Sequence, residues 1–231
     1  MNVECDLITY NIASAVIEII DEYISTKQDS FVRFIKQCKE IQEVGDKDVR
    51  QIKQFIIDLL APNVDARLFE IVSYSILKHY YKGQSIYWGY ELDEIEKESL
   101  KLYKTGRTNA NDGGIDFVMK PLGRFFQVTE TLDFKKYFLD IEKIEKYPIT
   151  FVIKSEDNIS DISKKLKNDA LNTYPVSAVV DRYLSCIEEI INIPKLMECF
   201  EDVEHRGLMM SVLDEIVLQS KDEFNYFEGN E

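Results

Sequence analysis

The chain has 231 residues and a mass of 27.0 kDa, and 45% of its residues are hydrophobic, enough to bury a core of one or two domains. Its 28 basic residues face 42 acidic ones, a net charge of −14 that on composition alone argues against a partner rich in phosphate. No apolar run approaches the roughly 20 residues of a membrane span and the amino terminus lacks a basic start and an apolar signal core, so the expectation is a cytoplasmic protein with no membrane association.

In chain order, Ile8, Ile12, Val16, Ile19, Ile20, Tyr23 and Ile24 follow the three-and-four spacing of an amphipathic helix. A second run, Phe31, Phe34, Ile35, Cys38 and Ile41, takes Ser30 as its cap, and a third, Val49 to Leu60, stops at Pro62. The first sixty residues therefore read as three helices. A fourth helix is expected over about Val64 to Tyr81, followed by an aromatic strand at Ile86–Tyr90 and a charged connection to Lys104–Arg107. Ile115–Lys120 and Phe125–Glu130 flank a Pro121–Arg124 turn and read as a hairpin. Phe134, Tyr137, Phe138, Ile141 and Ile144 then mark a crossover helix to a buried strand at Ile149–Ile153. Beyond Ser155 the chain reads as helical, chiefly Val176–Ile193 and Leu208–Leu218.

The charge is unevenly spread. Residues 1–63 hold seven bases against eleven acids, residues 64–154 fourteen against fourteen, and residues 155–231 seven against seventeen. The acidity belongs to the flanks, and Lys101–Lys136 is locally basic, with seven cations against four acids. That excess fits either a solvated face or a surface for phosphate. The four cysteines contain no Cys-x-x-Cys pair, and His79 and His205 are the only histidines, so a zinc site or a Ser-His or Cys-His hydrolase has few candidate groups.

Oxygen donors are better placed. With residues 121–124 as the loop, Lys120 pairs with Phe125, Val118 with Gln127 and Asp116 with Thr129, which puts Asp116, Gln127 and Thr129 on one face. Glu70 lies on the apolar stripe Ala66, Tyr74, Leu77 and Tyr81 of the fourth helix, where a carboxylate is costly unless paired or bound to a cation. Carboxylates beside amide and hydroxyl oxygens suit Mg²⁺, which stabilises a phosphoryl transition state and lowers the pKa of a bound water. A salt bridge from Glu70 to Arg67 or Lys78 is the alternative, and Asp116 alone also fits a strand-start aspartate.

The order of a helix with Glu70, a strand, Gly113-Gly114-Ile115-Asp116, a turn, Gln127-Val128-Thr129, a crossover helix and a strand resembles the core of the PD-(D/E)XK nuclease superfamily, most closely bacterial type II restriction endonucleases and the Mrr-like branch. The resemblance covers roughly residues 64–154. It implies an α/β restriction-endonuclease-like core, a mixed sheet flanked by helices, between a helical N-terminal region (1–63) and an acidic helical C-terminal region (155–231). It further implies a Mg²⁺-dependent endonuclease of a restriction system in host defence, acting as a homodimer on double-stranded DNA. Asp116, Glu70 and Gln127 would hold the metal. The family's lysine falls on Thr129, whose hydroxyl can orient water but carries no charge. Lys120 is the leading replacement, with Lys135, Lys136 and Lys154 behind it. Lys104, Arg107, Asn109 and Asn111, within a DNA-facing segment near Tyr103–Asn111, and Arg124 are the expected DNA contacts. The competing expectation is a nuclease fold without strong catalysis, serving as a DNA- or protein-binding assembly module.

Overall fold

The computed structural model describes residues 2–5, 8–44, 48–106 and 115–224. Strands β1 (Asn2–Cys5) and β2 (Ile8–Asn11) form an antiparallel pair, followed by α1 (Ala13–Val44) and α2 (Val49–Asp58). Ile8–Asn11, expected as the start of the first helix, is strand β2; from Ala13 the first two expected helices are one helix, and Ser30 lies inside it rather than capping it. The physical reason is that Ser25 to Ser30 contains neither Gly nor Pro, and the stripe of Ile17, Ile20 and Ile24 is in phase, after one polar turn, with Phe31, Phe34, Cys38 and Ile41. Only the second half of that stripe is buried; Ile17, Ile20 and Ile24 are exposed.

Helix α3 (Ala66–Tyr81) is capped by Asp65, whose carboxylate accepts from Arg67 N–H, and is buried almost all round. Strands β3 (Ser85–Trp88) and β4 (Glu96–Ser99) form a separate two-stranded hairpin where a single strand and a connection are expected. Its turn requires Gly89, since a Cβ there would collide with the Glu94 carbonyl. One residue later the chain enters the main sheet as β5 (Lys101–Lys104), followed by β6 (Phe117–Lys120), β7 (Arg124–Thr129), α4 (Phe134–Lys143) and β8 (Ile149–Ile153).

The C-terminal region holds α5 (Ile159–Thr173), α6 (Ser177–Leu184), β9 (Ile187–Ile191), α7 (Ile193–His205) and α8 (Met209–Glu223). The expected helix Val176–Ile193 is therefore split. Its second half, Ile-Glu-Glu-Ile-Ile, is rich in β-branched residues and joins the sheet as an edge strand. The sheet order is β5-β6-β7-β8-β9, antiparallel through β7 and parallel from β7 to β9, with α4 as the crossover. The protein is an α/β fold with a mixed sheet between helices.

The two faces of that sheet bury different cores. Leu102, Phe117, Met119, Phe126 and Val152 pack with α1, α2, α3, α7 and α8. Ile149, Phe151, Ile153 and Ile190 pack with α4, α5 and α6. β8 is buried along its whole length, as a parallel strand covered on both faces must be. Each core phenylalanine removed from water contributes about 2–3 kcal/mol. The first core draws on residues 31–60 and 191–217 as well as the middle, so neither flank is a detached appendage.

Candidate active site

The turn between β6 and β7 sets the geometry. Gly123, in the left-handed region at φ +67°, donates its N–H to Met119 O at 2.9 Å, so the hairpin closes one residue early on each strand. Met119 pairs with Arg124, Val118 with Phe125 and Phe117 with Phe126, in place of the expected pairing of Lys120 with Phe125 and Asp116 with Thr129. A shift of two keeps every side chain within the ladder on its expected face. Gln127 and Thr129 accordingly share a face with Phe125, towards α4.

Asp116 leaves the ladder. Its N–H donates to Phe126 O and its carbonyl accepts from Thr105 N–H, both at 2.9 Å, while its Oδ2 accepts from Val128 N–H at 2.6 Å. The carboxylate stands where a backbone carbonyl would otherwise continue the pairing, at the end of the sheet between its two faces. A charge-assisted bond to a strand amide fixes it there.

Gln127 is buried next to that amide. Its Nε2 donates to Val128 O at 3.4 Å, and its Oε1 has no hydrogen-bond partner. Leaving such an oxygen unmet costs about 1–3 kcal/mol. The buried Thr129 hydroxyl accepts from Thr131 N–H at 3.3 Å.

Glu70 is on α3, on the sheet's other face. It is buried and paired neither with Arg67 nor with Lys78, the partners considered from sequence, but with Lys104 Nζ at 3.1 Å. The same ammonium lies 3.5 Å from Glu223 Oε2 at the end of α8, and all three side chains are at most 10% exposed. Lys104, expected at DNA, is held between two carboxylates instead. Arg124, also expected there, is held by Glu188 and Glu189 on β9 and by the Thr150 hydroxyl. Arg107, Asn109 and Asn111 fall outside the described residues.

Lys120 sits at the opposite end of β6 from Asp116, on the order of 13 Å along the strand, with its ammonium 5.5 Å from the Tyr103 ring centroid. Lys154 is the lysine at the right end. Its N–H donates to Thr129 O at 2.9 Å, and its ammonium reaches Val64 O and Glu130 and lies 5.9 Å from the Phe69 ring centroid, next to Glu70. Strand pairing between β7 and β8 brings it there, a long-range relation invisible in local spacing.

Among the described residues no group of three or more Asp, Glu, His or Cys side chains could hold a metal ion. What Asp116 and Gln127 offer is one carboxylate and one unmet amide oxygen, both hard donors, which fits an ion that takes few protein ligands and keeps its waters. Glu70, neutralised by Lys104, does not fit as a direct ligand in this arrangement. Other chemistries find less. Burial pushes the Cys38 and Cys199 thiols up to about 12, and His79, buried without a hydrogen-bond partner, has its pKa lowered by desolvation. No protein-family model, curated protein or solved structure matches this chain. None of its helices, among the described residues, is long and apolar enough to cross a membrane.

Proposed function

We propose that the chain is a Mg²⁺-dependent endonuclease of the PD-(D/E)XK type, with a restriction-endonuclease-like core, that hydrolyses phosphodiester bonds of double-stranded DNA as part of a restriction system. The observation that carries this reading is the buried Gln127 oxygen without a donor, beside the amide that holds Asp116. The succession of α3, β6, β7, α4 and β8, antiparallel then parallel, supports it, with β5 rather than the expected strand at Ile86–Tyr90 lying beside β6.

Asp116 and Gln127 would hold the ion, which when bound supplies positive charge and makes a water acidic enough to attack. The chain's own residues do the rest. Asp116, pinned by Val128 N–H, gives the carboxylate a fixed direction. Lys154, its stem buried and its ammonium paired with Glu130, would supply the positive charge that Thr129 lacks by exchanging that carboxylate for the phosphoryl group. Glu70 acts through Lys104, as a positioning residue for that end of the sheet. Two copies on DNA complete the reading, and the apolar stripe of α1 left open at Ile17, Ile20 and Ile24, continuous with its own buried half, is the surface such pairing would cover.

Plasmid and linear duplex DNA of varied sequence, incubated with Mg²⁺ or Mn²⁺, tests the reading: cutting is expected and Asp116→Ala should slow it at least a hundredfold. Uncut DNA, or equal rates for the variant, overturns it. The pairing of Glu70 with Lys104 favours a second reading, a binding or assembly module that holds no metal. Titration calorimetry separates the two, because only the nuclease gives metal-binding heat that Asp116→Ala removes.

A further inference from the structure

The hairpin β3–β4 and the strand β5 present one outward face in which positive charge and aromatic rings alternate. Tyr87 pairs with Lys97 across the hairpin, so both point the same way. Leu100 and Leu102 turn into the core, which leaves Ser99, Lys101 and Tyr103 facing out. Lys101 stands directly opposite Lys120 of β6, and both are exposed. Tyr87 and Tyr103 are exposed too, at 72% and 44%, and the Lys120 ammonium lies 5.5 Å from the Tyr103 ring centroid. From Lys97 to Tyr103 the strip runs on the order of 20 Å.

Charge on this hairpin is sorted by face. Glu96 and Glu98 project from the other side with Trp88 and Ile86, and the Trp88 indole N–H donates to Glu98 Oε2 at 2.7 Å. The remaining acids, Glu91, Asp93 and Glu94, sit at the hairpin tip. Among the described residues none of Lys97, Lys101 and Lys120 has a carboxylate partner, whereas Lys53, Lys78, Lys104, Arg124 and Lys154 each hold one. Two lysines directly opposite on antiparallel strands repel each other. Among the described residues, none of the chain's acids pairs with either lysine.

We infer that this face, Tyr87, Lys97, Lys101, Tyr103 and Lys120, binds the phosphate backbone of duplex DNA, each ammonium neutralising a phosphate and the tyrosine hydroxyls donating to phosphate oxygens. The choice of DNA rests on the nuclease reading; the anionic character of the ligand rests on the face itself. Nothing here reads bases, so binding is independent of sequence.

Fluorescence anisotropy with the full chain, a labelled duplex and EDTA in place of metal tests this, over about 50–200 mM salt. Removing three phosphate contacts in Lys97→Ala/Lys101→Ala/Lys120→Ala should reduce the slope of log affinity against log salt by about 2.7 and weaken binding at least tenfold at low salt. Asp116→Ala should bind like the wild type, so loss of cutting and loss of binding report on different sites. An unchanged slope in the triple variant overturns the inference, leaving the lysines as guards of an edge strand only. So does the absence of duplex binding by the wild type, or tighter binding of RNA of equal length.

Discussion

The sheet is covered unevenly. Over β8 both faces are roofed by helices, and on β7 and β8 Gln127, Thr129 and Thr150 are all under 9% exposed. Over β5 and β6 one face is open, and it carries lysines and a tyrosine in solvent. The contrast separates two kinds of constraint in one sheet. In the roofed half a side chain must fill space or be hydrogen-bonded, so an exception such as Gln127 Oε1 is costly. In the open half packing imposes little, and the pattern that remains is one of charge.

The largest break in this contrast is expected from Phe151→Ala. The ring is fully buried in β8, 4.4 Å between centroids from that of Tyr137, and its loss should cost on the order of 4 kcal/mol in chemical denaturation. Tyr103→Ala in the open half should cost less than about 1 kcal/mol. Equal losses would mean that the open face is covered in solution.

Next in size is Lys104→Met. It removes the ammonium that lies 3.1 Å from Glu70 and 3.5 Å from Glu223, both buried, and should cost on the order of 3 kcal/mol. Adding Glu70→Gln should recover part of that loss. A double variant no more stable than the single one would show that Glu223, rather than Glu70, is the partner that matters.

Much of this arrangement is legible in the sequence, and the failures have physical causes. The α3, β6, β7, α4 and β8 sequence is readable because each element has its own period and is set off by turn residues such as Pro121-Leu122-Gly123-Arg124. Glu70 is readable as a buried acid, since it sits on an apolar stripe. Its partner is not, because Lys104 reaches it through strand placement and Glu223 through the packing of α8. The hairpin register is missed by two because Pro121-Leu122-Gly123-Arg124 allows more than one closure, and the hydrogen bond from Gly123 to Met119 decides it. β9 is missed because Ile-Glu-Glu-Ile-Ile also satisfies a helical spacing until β8 is there to pair with it.

Gln127→Met gives a smaller effect of opposite sign. The substitution keeps the volume and removes the unmet oxygen, so stability should rise by about 1 kcal/mol. Under the nuclease reading the same change lowers the rate of cutting at fixed Mg²⁺. A residue that weakens the fold and supports the chemistry shows both effects together; a fall in stability would instead mean that the Gln127 amide is well satisfied.

The smallest change, Lys120→Thr, addresses the open half directly. Lys101 and Lys120 are cross-strand neighbours of like charge, and threonine suits an exposed strand position, so the variant should gain a few tenths of a kcal/mol at low ionic strength. Salt screens the repulsion, so the gain should shrink as ionic strength rises past about 0.15 M, where the Debye length falls to roughly 8 Å. The gain identifies a pair kept in spite of its cost to the fold. If Lys120→Thr is instead destabilising at every salt concentration, the contact of its ammonium with Tyr103 outweighs the repulsion, and the pair is part of how the edge of the sheet holds together.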